Sequence, residues 1–262
     1  MYNLKSFSMF PYLLLVALLP LSFAFAQVPK TVFVGADSIQ MMLIPAGEFM
    51  MGDTSQGDHY PAHKVALDSF YMCSYEITCS QYQRFCEETA RQRLPEFWRM
   101  PQFHNGPDYP RHPVIGVSWA DAKDFAKWIG CRLPTEAEFE YAARGGFAER
   151  RYSWGDELNP DSANYKSDST KVVGSYPPNA FGLYDMTGNV CEWVQDRYQD
   201  TYYMTSSERN PEGPESGRFR VIRGGGWHTG PGCVRVFHRN ALPSNWQDIN
   251  VGFRCVKSLS EK

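Results

Sequence analysis

His112–Gly146 reads HPVIGVSWADAKDFAKWIGCRLPTEAEFEYAARGG, two capped helices in tandem with a short connector. Ser118 stands where an N-cap belongs, and Asp121 three residues later completes a capping box. Ala122, Phe125 and Ala126 form an apolar stripe at helical spacing that runs out at Trp128, Ile129 and Gly130. Thr135 and Glu138 repeat the box, Phe139, Ala142 and Ala143 make the inward stripe, and Gly145 stops the second helix.

Upstream, Thr78-Cys79-Ser80 caps a further helix running to about Arg93, with Tyr82, Phe85 and Cys86 as its stripe. Met41–Met51 reads as a strand, a Pro-Ala-Gly turn and a second short strand, and Val65–Ile77 as another strand pair. Leu94–Arg111 is an ordered loop, because Phe97, Trp98, Phe103 and Tyr109 need burial. Beyond Gly146 helical periodicity fades into short strands and turns, with Val251–Val256 as the last strand. No repeat or low-complexity segment interrupts this order.

The first 26 residues read as a secretory signal. Lys5 supplies the charge, Met9–Phe25 the apolar run, and Ala24-Phe25-Ala26 the cleavage motif before Gln27. An exported chain in the periplasm, at the cell surface or outside the cell is therefore expected, with residues 27–262 as one domain. No later apolar run is long enough for a membrane span. A net charge of −3 with no basic block gives no reason to expect nucleic acid. Aromatics at 15% beside 21 Gly and 18 Pro point to much ordered loop buried under rings. Seven cysteines in an oxidising compartment make disulfides possible, and the odd number leaves at least one thiol over.

Three groups could carry chemistry. Asp185, Gly188, Asn189, Val190 and Glu192 crowd a glycine turn, and two carboxylates with freed carbonyls suit a hard cation such as Ca²⁺. The plainer reading is an Asx-turn bonding its own backbone. Cys233 lies five residues from both His228 and His238, a set that could supply a thiolate and a base. A half-cystine or a small buried hydrophobe is the plainer reading of Cys233. Arg223, Arg235, Arg239 and Arg254 could form an anion pocket, or brace loops by bonding carbonyls and stacking on rings. Trp227, His228, Thr229, Arg235, Phe237, His238, Leu242 and Trp246 are the candidate ligand-contact residues, for a protein or small-molecule partner.

Taken together, IPAGEFMMGD, YEITCSQYQRF, the His112–Gly146 stretch, YSWGD, ANY, PPNAFGLYDMTGNVCEWVQD, RVIRGGGW and VGFRC resemble the formylglycine-generating enzyme (sulfatase-modifying factor) family, in family order from Met42 to Val256. The resemblance implies an α+β fold, a variant of the C-type lectin fold with short helices around small sheets. The family's enzymes oxidise a sulfatase cysteine with oxygen, using copper on two cysteines. Laid on this chain without a gap, those cysteines fall on Thr229 and Val234, the following histidine on Gly230, and the preceding serine and aromatic on Gly226 and Trp227. Copper(I) wants soft thiolates, so copper and formylglycine-generating activity are not expected. The alternative is a metal-dependent oxidase or maturation factor with an altered Cys233, His228 and His238 site.

The resemblance also implies structural calcium on the Asp185 side chain, the Gly188 and Val190 carbonyls and Glu192. A second calcium position at Asn164-Tyr165 has its acidic loop shortened to KSDSTKVV. The family's bridge from the last strand would join Cys255 to the Ala126 position, which Cys131 would have to replace. Some relatives are exported binders that display the segment between the GG and GFR motifs, here His228–Asn250. The leading expectation is therefore an exported domain presenting C-terminal loops to a ligand.

Overall fold

The computed structural model of the chain describes residues 30–259. The expected signal segment lies outside the described residues. A first sheet joins β1 (Thr31–Val34), β2 (Ile39–Ile44), β5 (Phe70–Cys73) and β10 (Val256–Ser258) in the order β1-β2-β5-β10, antiparallel throughout. A separate hairpin pairs β3 (Gly47–Met51) with β4 (His63–Leu67). A second sheet runs β8 (Asn240–Pro243), β7 (Phe219–Arg223), β6 (Cys191–Arg197) and β9 (Val251–Gly252), parallel only between β6 and β9. Three helices pack on these layers: α1 (Cys79–Glu88), α2 (Trp119–Trp128) and α3 (Glu136–Arg144).

The caps stand where local chemistry puts them. Thr78, Ser118 and Thr135 each close a full capping box, with Gln81, Asp121 and Glu138 reaching back. Gly145 ends α3 in the left-handed conformation. Helix α1 stops at Glu88 rather than near Arg93: Thr89 turns its hydroxyl onto the Phe85 carbonyl at 2.6 Å, and Ala90 swings to φ 50°.

Strand β5 shows why alternation in Val65–Ile77 is imperfect. Tyr71 and Cys73 face one core while Phe70 and Met72 face the other, so both sides of the first sheet are covered. The first core lies under α1 and α2, where Phe125 stacks on Tyr82 with ring centres 5.9 Å apart and meets Phe253 edge-on at 5.3 Å. The second lies between α3, the hairpin and β6–β7.

Met41–Met51 holds the two strands expected there, which join different sheets. Two strand expectations change. Val65–Ile77 is not a strand pair: β4 pairs with β3, and β5 with β2 and β10. Val251–Val256 is not one strand: the chain leaves the second sheet after Gly252 and enters the first at Val256. The crossing aims the buried Arg254 side chain at Glu192, which a continuous ladder would not require.

Every residue of α3 is buried, including Glu136, Glu138, Glu140 and Arg144. Glu136 receives Arg223 Nη1 and Arg239 Nε at 2.7 Å each, and Glu140 receives Arg223 Nη2 at 2.7 Å and Arg144 Nη2 at 2.8 Å. Burial alone would raise both carboxyls, but Arg239 and Arg223 over Glu136, and Arg144 and Arg223 over Glu140, hold them below the usual carboxylate range. Arg239 also lies over the Tyr203 ring, 4.3 Å from its centre. Glu136→Gln leaves two buried guanidiniums short of charge. The substitution is expected to cost about 3–5 kcal/mol in urea unfolding, and a loss under about 1 kcal/mol would show that the lattice is not what fixes α3.

Candidate functional site

Strand β7 leads into Gly224-Gly225-Gly226, where backbones approach too closely for side chains. A Cβ on Gly225, at φ 66°, would stand 2.6 Å from the Cys233 carbonyl oxygen. A Cβ on Gly226 would stand 2.3 Å from Asn250 Oδ1, so Asn250 occupies the space a serine would take there. The Asn250 amide donates to the Cys191 sulfur at 3.4 Å and accepts from the His228 N–H at 3.3 Å, binding the loop's two ends together.

Trp227 is buried, not displayed. Its indole N–H donates to the Ile249 carbonyl at 3.1 Å, and its ring packs with Ile115 and Val190. The Thr229 hydroxyl is used inside the turn, donating to the Gly226 carbonyl at 2.8 Å and accepting from the Gly226 N–H at 3.0 Å. Val234 is fully buried. Cys233 is half-buried near Cys191, whose thiol is pushed up by burial first and then by Asp248 and Cys233.

Phe237, expected at the surface, is only 5% exposed and packs in the second core, tilted against His59 with ring centres 5.2 Å apart. An apolar ring gains more from joining that core than from facing water. His238 is half-buried, and burial followed by the Arg223 charge drives it down to about 4. His59, whose Nδ1 is 3.4 Å from Asp58 Oδ1 and whose Nε2 is 3.1 Å from the Ser55 hydroxyl, is a neighbour of this histidine that the sequence did not single out. His228 is exposed beside the Trp227 ring. Among the described residues no three His, Cys, Asp or Glu side chains gather closely enough to hold a metal ion.

The outer layer of the loop is made by His228, Arg235 and Trp246, all exposed, with Thr229 and Leu242 half-buried beside them. Trp246 is 52% exposed, with its indole N–H directed at Asp248. Of the four arginines, Arg223, Arg239 and Arg254 are buried in carboxylate pairs, so the bracing reading describes them and Arg235 alone faces solvent.

Around the expected calcium position, Asp185 and Asn189 take left-handed backbone at φ 53° and 62°, with Gly188 between them at 93°. Asp185 Oδ2 accepts the Gly174 N–H at 2.7 Å. Both Glu192 oxygens accept the Arg254 fork at 2.7 Å, and Glu76 accepts Asn189 Nδ2 at 2.6 Å and the Val190 N–H at 3.1 Å. Three carboxyls thus share one guanidinium. Burial raises Asp185 to about 6, and burial plus the charges of Asp185 and Glu192 raise Glu76 well above the usual range. An excess of buried acid over base is the electrostatic setting a divalent cation relieves. Of these carboxyls, Asp185 is engaged by the Gly174 N–H and Glu192 by Arg254. At the second family position, Asn164 is bonded to Ser167, Ser169 and Asn189.

This arrangement of short capped helices, small sheets and a long braced C-terminal loop is a lectin-like α+β architecture. The chain belongs to the FGE-sulfatase family: the model of the sulfatase-modifying factor enzyme 1-like domain matches residues 28–259. It is 39% identical over 236 residues to the serine/threonine-protein kinase Pkn1 of Chlamydia pneumoniae, covering 84% of this chain but 38% of that protein. The chain therefore spans well under half the length of that relative. It is 35% identical over 275 residues to the formylglycine-generating enzyme of Streptomyces coelicolor, covering 81% of this chain and 87% of the enzyme. The structure of PvdO from Pseudomonas aeruginosa superposes with a TM-score of 0.76 at 30% identity, covering 89% of this chain and all of that one.

His238 supplies a pH test. Its folded pKa lies below the unfolded value near 6.5, so the folded state prefers the neutral ring, and stability present above pH 6.5 is lost as pH falls towards 4. His238→Gln is expected to remove about 1–2 kcal/mol of the acid destabilisation between pH 6.5 and 4, after discounting for partial exposure. Parallel pH–stability curves for the two proteins would contradict this.

Proposed function

We propose that this protein is an exported family member without formylglycine-generating oxidase activity, whose C-terminal loops present a surface to a protein or small-molecule ligand. The observation that carries the reading is the state of the two positions where the family places its copper-binding thiols. Thr229 spends its hydroxyl on Gly226, and Val234 is fully buried, so neither offers a sulfur to an ion. The candidate ligand face comprises His228, Thr229, Arg235, Leu242 and Trp246, with Trp227 and Phe237 as its floor and His238 at its edge. Aromatic and small polar side chains over a rigid floor suit recognition, because little conformational freedom is lost on binding. The export half of the reading rests on the amino-terminal sequence, Lys5 to Ala26.

A second reading keeps the oxidase, with Cys233, His228 and His238 around a metal. Its support is that Cys233 lies near enough to Cys191 to help push that thiol up. Metal analysis of residues 27–262 purified from an oxidising compartment separates the two. Under the first reading, copper and iron are absent at stoichiometric level and a cysteine-containing sulfatase peptide is not converted when copper is supplied. Stoichiometric copper or iron that disappears in Cys233→Ser would establish the second.

Calcium belongs to the same proposal as a structural ion, held by the Asp185 carboxylate and the Gly188 and Val190 carbonyls. Glu192 would share its charge between the ion and Arg254. Such an ion would fix the turn that carries Asn189, and Asn189 O accepts the Trp227 N–H at 2.7 Å beneath the ligand face. Added calcium is expected to raise the melting temperature of the wild type by several degrees and that of Asp185→Asn by much less. An equal rise in both proteins would remove Asp185 from the site.

A further inference from the structure

We infer that Cys73 and Cys255 form a disulfide that ties the C-terminal strand into the first sheet. The antiparallel register pairs Val256 with Met72, and the next pair in that register is Cys255 with Cys73. The Cys73 N–H donates to the Cys255 carbonyl at 2.9 Å, so the pair stands directly opposite. Side chains of opposite residues leave a sheet on the same side, about 4.5–5.5 Å apart at Cα, inside the span that a disulfide bridges.

Core packing fixes which side. Met72 and Val256 belong to the second core, whereas Cys73 and Cys255 both belong to the first, under α1 and α2. The two thiols are fully buried and close enough to hydrogen-bond to each other. Cys131, the partner expected from the family's bridge, sits differently. Arg132 bridges to Val256 in antiparallel sense, so Cys131 does not stand opposite Cys255 as Cys73 does, although its thiol lies near enough to act on that of Cys255. Its sulfur lies 4.0 Å from Met41 Sδ and 3.8 Å from the Ile129 carbonyl.

The chemistry balances with a disulfide as acceptor. Each thiol gives up a proton, one S–S bond forms, and two electrons pass to an acceptor disulfide, which becomes two thiols. In an oxidising compartment the acceptor is the disulfide of a thiol-oxidising protein; in vitro it is oxidised glutathione. For its cellular oxidant the inference rests on the export reading, but the pairing itself does not. Because both sulfurs are sealed in the core, the bond forms before the α1–α2 layer closes and resists reductants afterwards. It joins positions near opposite ends of the domain and restricts the unfolded chain accordingly.

The test is refolding of reduced residues 27–262 in a glutathione redox buffer, followed by alkylation with N-ethylmaleimide in denaturant and peptide mapping by mass spectrometry. A Cys73–Cys255 linked peptide is expected in wild type and in Cys131→Ser, and none in Cys73→Ser or Cys255→Ser. Dithiothreitol alone should leave the bond intact at room temperature and break it once denaturant is added. Loss of the bond is expected to lower Tm by about 5–10 °C. Alkylation of both Cys73 and Cys255 in refolded wild type, or a Cys131–Cys255 peptide in their place, overturns the inference, and neither result depends on a serine variant folding. A bond that forms in the glutathione buffer but is absent from protein isolated from its native cells supports the pairing and counts against export instead.

Discussion

Two glutamates one helical turn apart on α3 hold the second half of the molecule in place. Glu136 and Glu140 are both buried, and between them they bind Arg144 from their own helix, Arg223 from the end of β7 and Arg239 from just before β8. Desolvating five charged groups is costly, and the cost is offset only when every fork meets a carboxylate in good geometry. That condition leaves α3, β7 and β8 little freedom to shift against one another. Arg223 adds the Val236 carbonyl at 2.7 Å and Arg239 the Asp58 carbonyl at 2.6 Å, so the lattice also pins the loop between those strands and the segment after β3.

On that base the C-terminal loop is rigid below and variable in chemistry above. Gly225 and Gly226 let the Cys233 and Asn250 segments press against the end of β7, which leaves no room for a side chain. Trp227 and Phe237 are buried in separate clusters beneath the loop, whereas His228, Arg235 and Trp246 face solvent. Substitutions in that outer layer are therefore expected to change stability little.

Sulfur and oxygen are distributed to different places. The thiols withdraw into cores or half-buried loop positions, and the positions that would serve a soft metal hold a bonded hydroxyl and a valine. Hard oxygen donors gather at the opposite side of β6, where Glu76, Asp185 and Glu192 surround Arg254. Asn189 donates to Glu76 from its side chain and accepts the Trp227 backbone N–H on its carbonyl, so this acid cluster is tied to the C-terminal loop.

The capping boxes of α2 and α3 were legible in the sequence because each depends on residues three apart along one chain, whereas for α1 the sequence left the cap among Thr78, Cys79 and Ser80. The strands within Met41–Met51 and Val65–Ile77 were legible, and so were the family motifs and the replacement of the expected thiols by Thr229 and Val234. The partition of the strands between sheets was not, because β2 and β3 follow each other through a turn while their hydrogen-bonding partners lie elsewhere. Nor was the burial of Glu136 and Glu140, since helical periodicity assigns glutamate to water and cannot see arginines about ninety residues away. By itself the sequence determined the local elements, the family and the absence of a second sulfur in the expected loop. Only the tertiary structure decided which charges are paired, which aromatics form a floor and which cysteines face each other, because those outcomes depend on desolvation and contact between segments far apart in the chain.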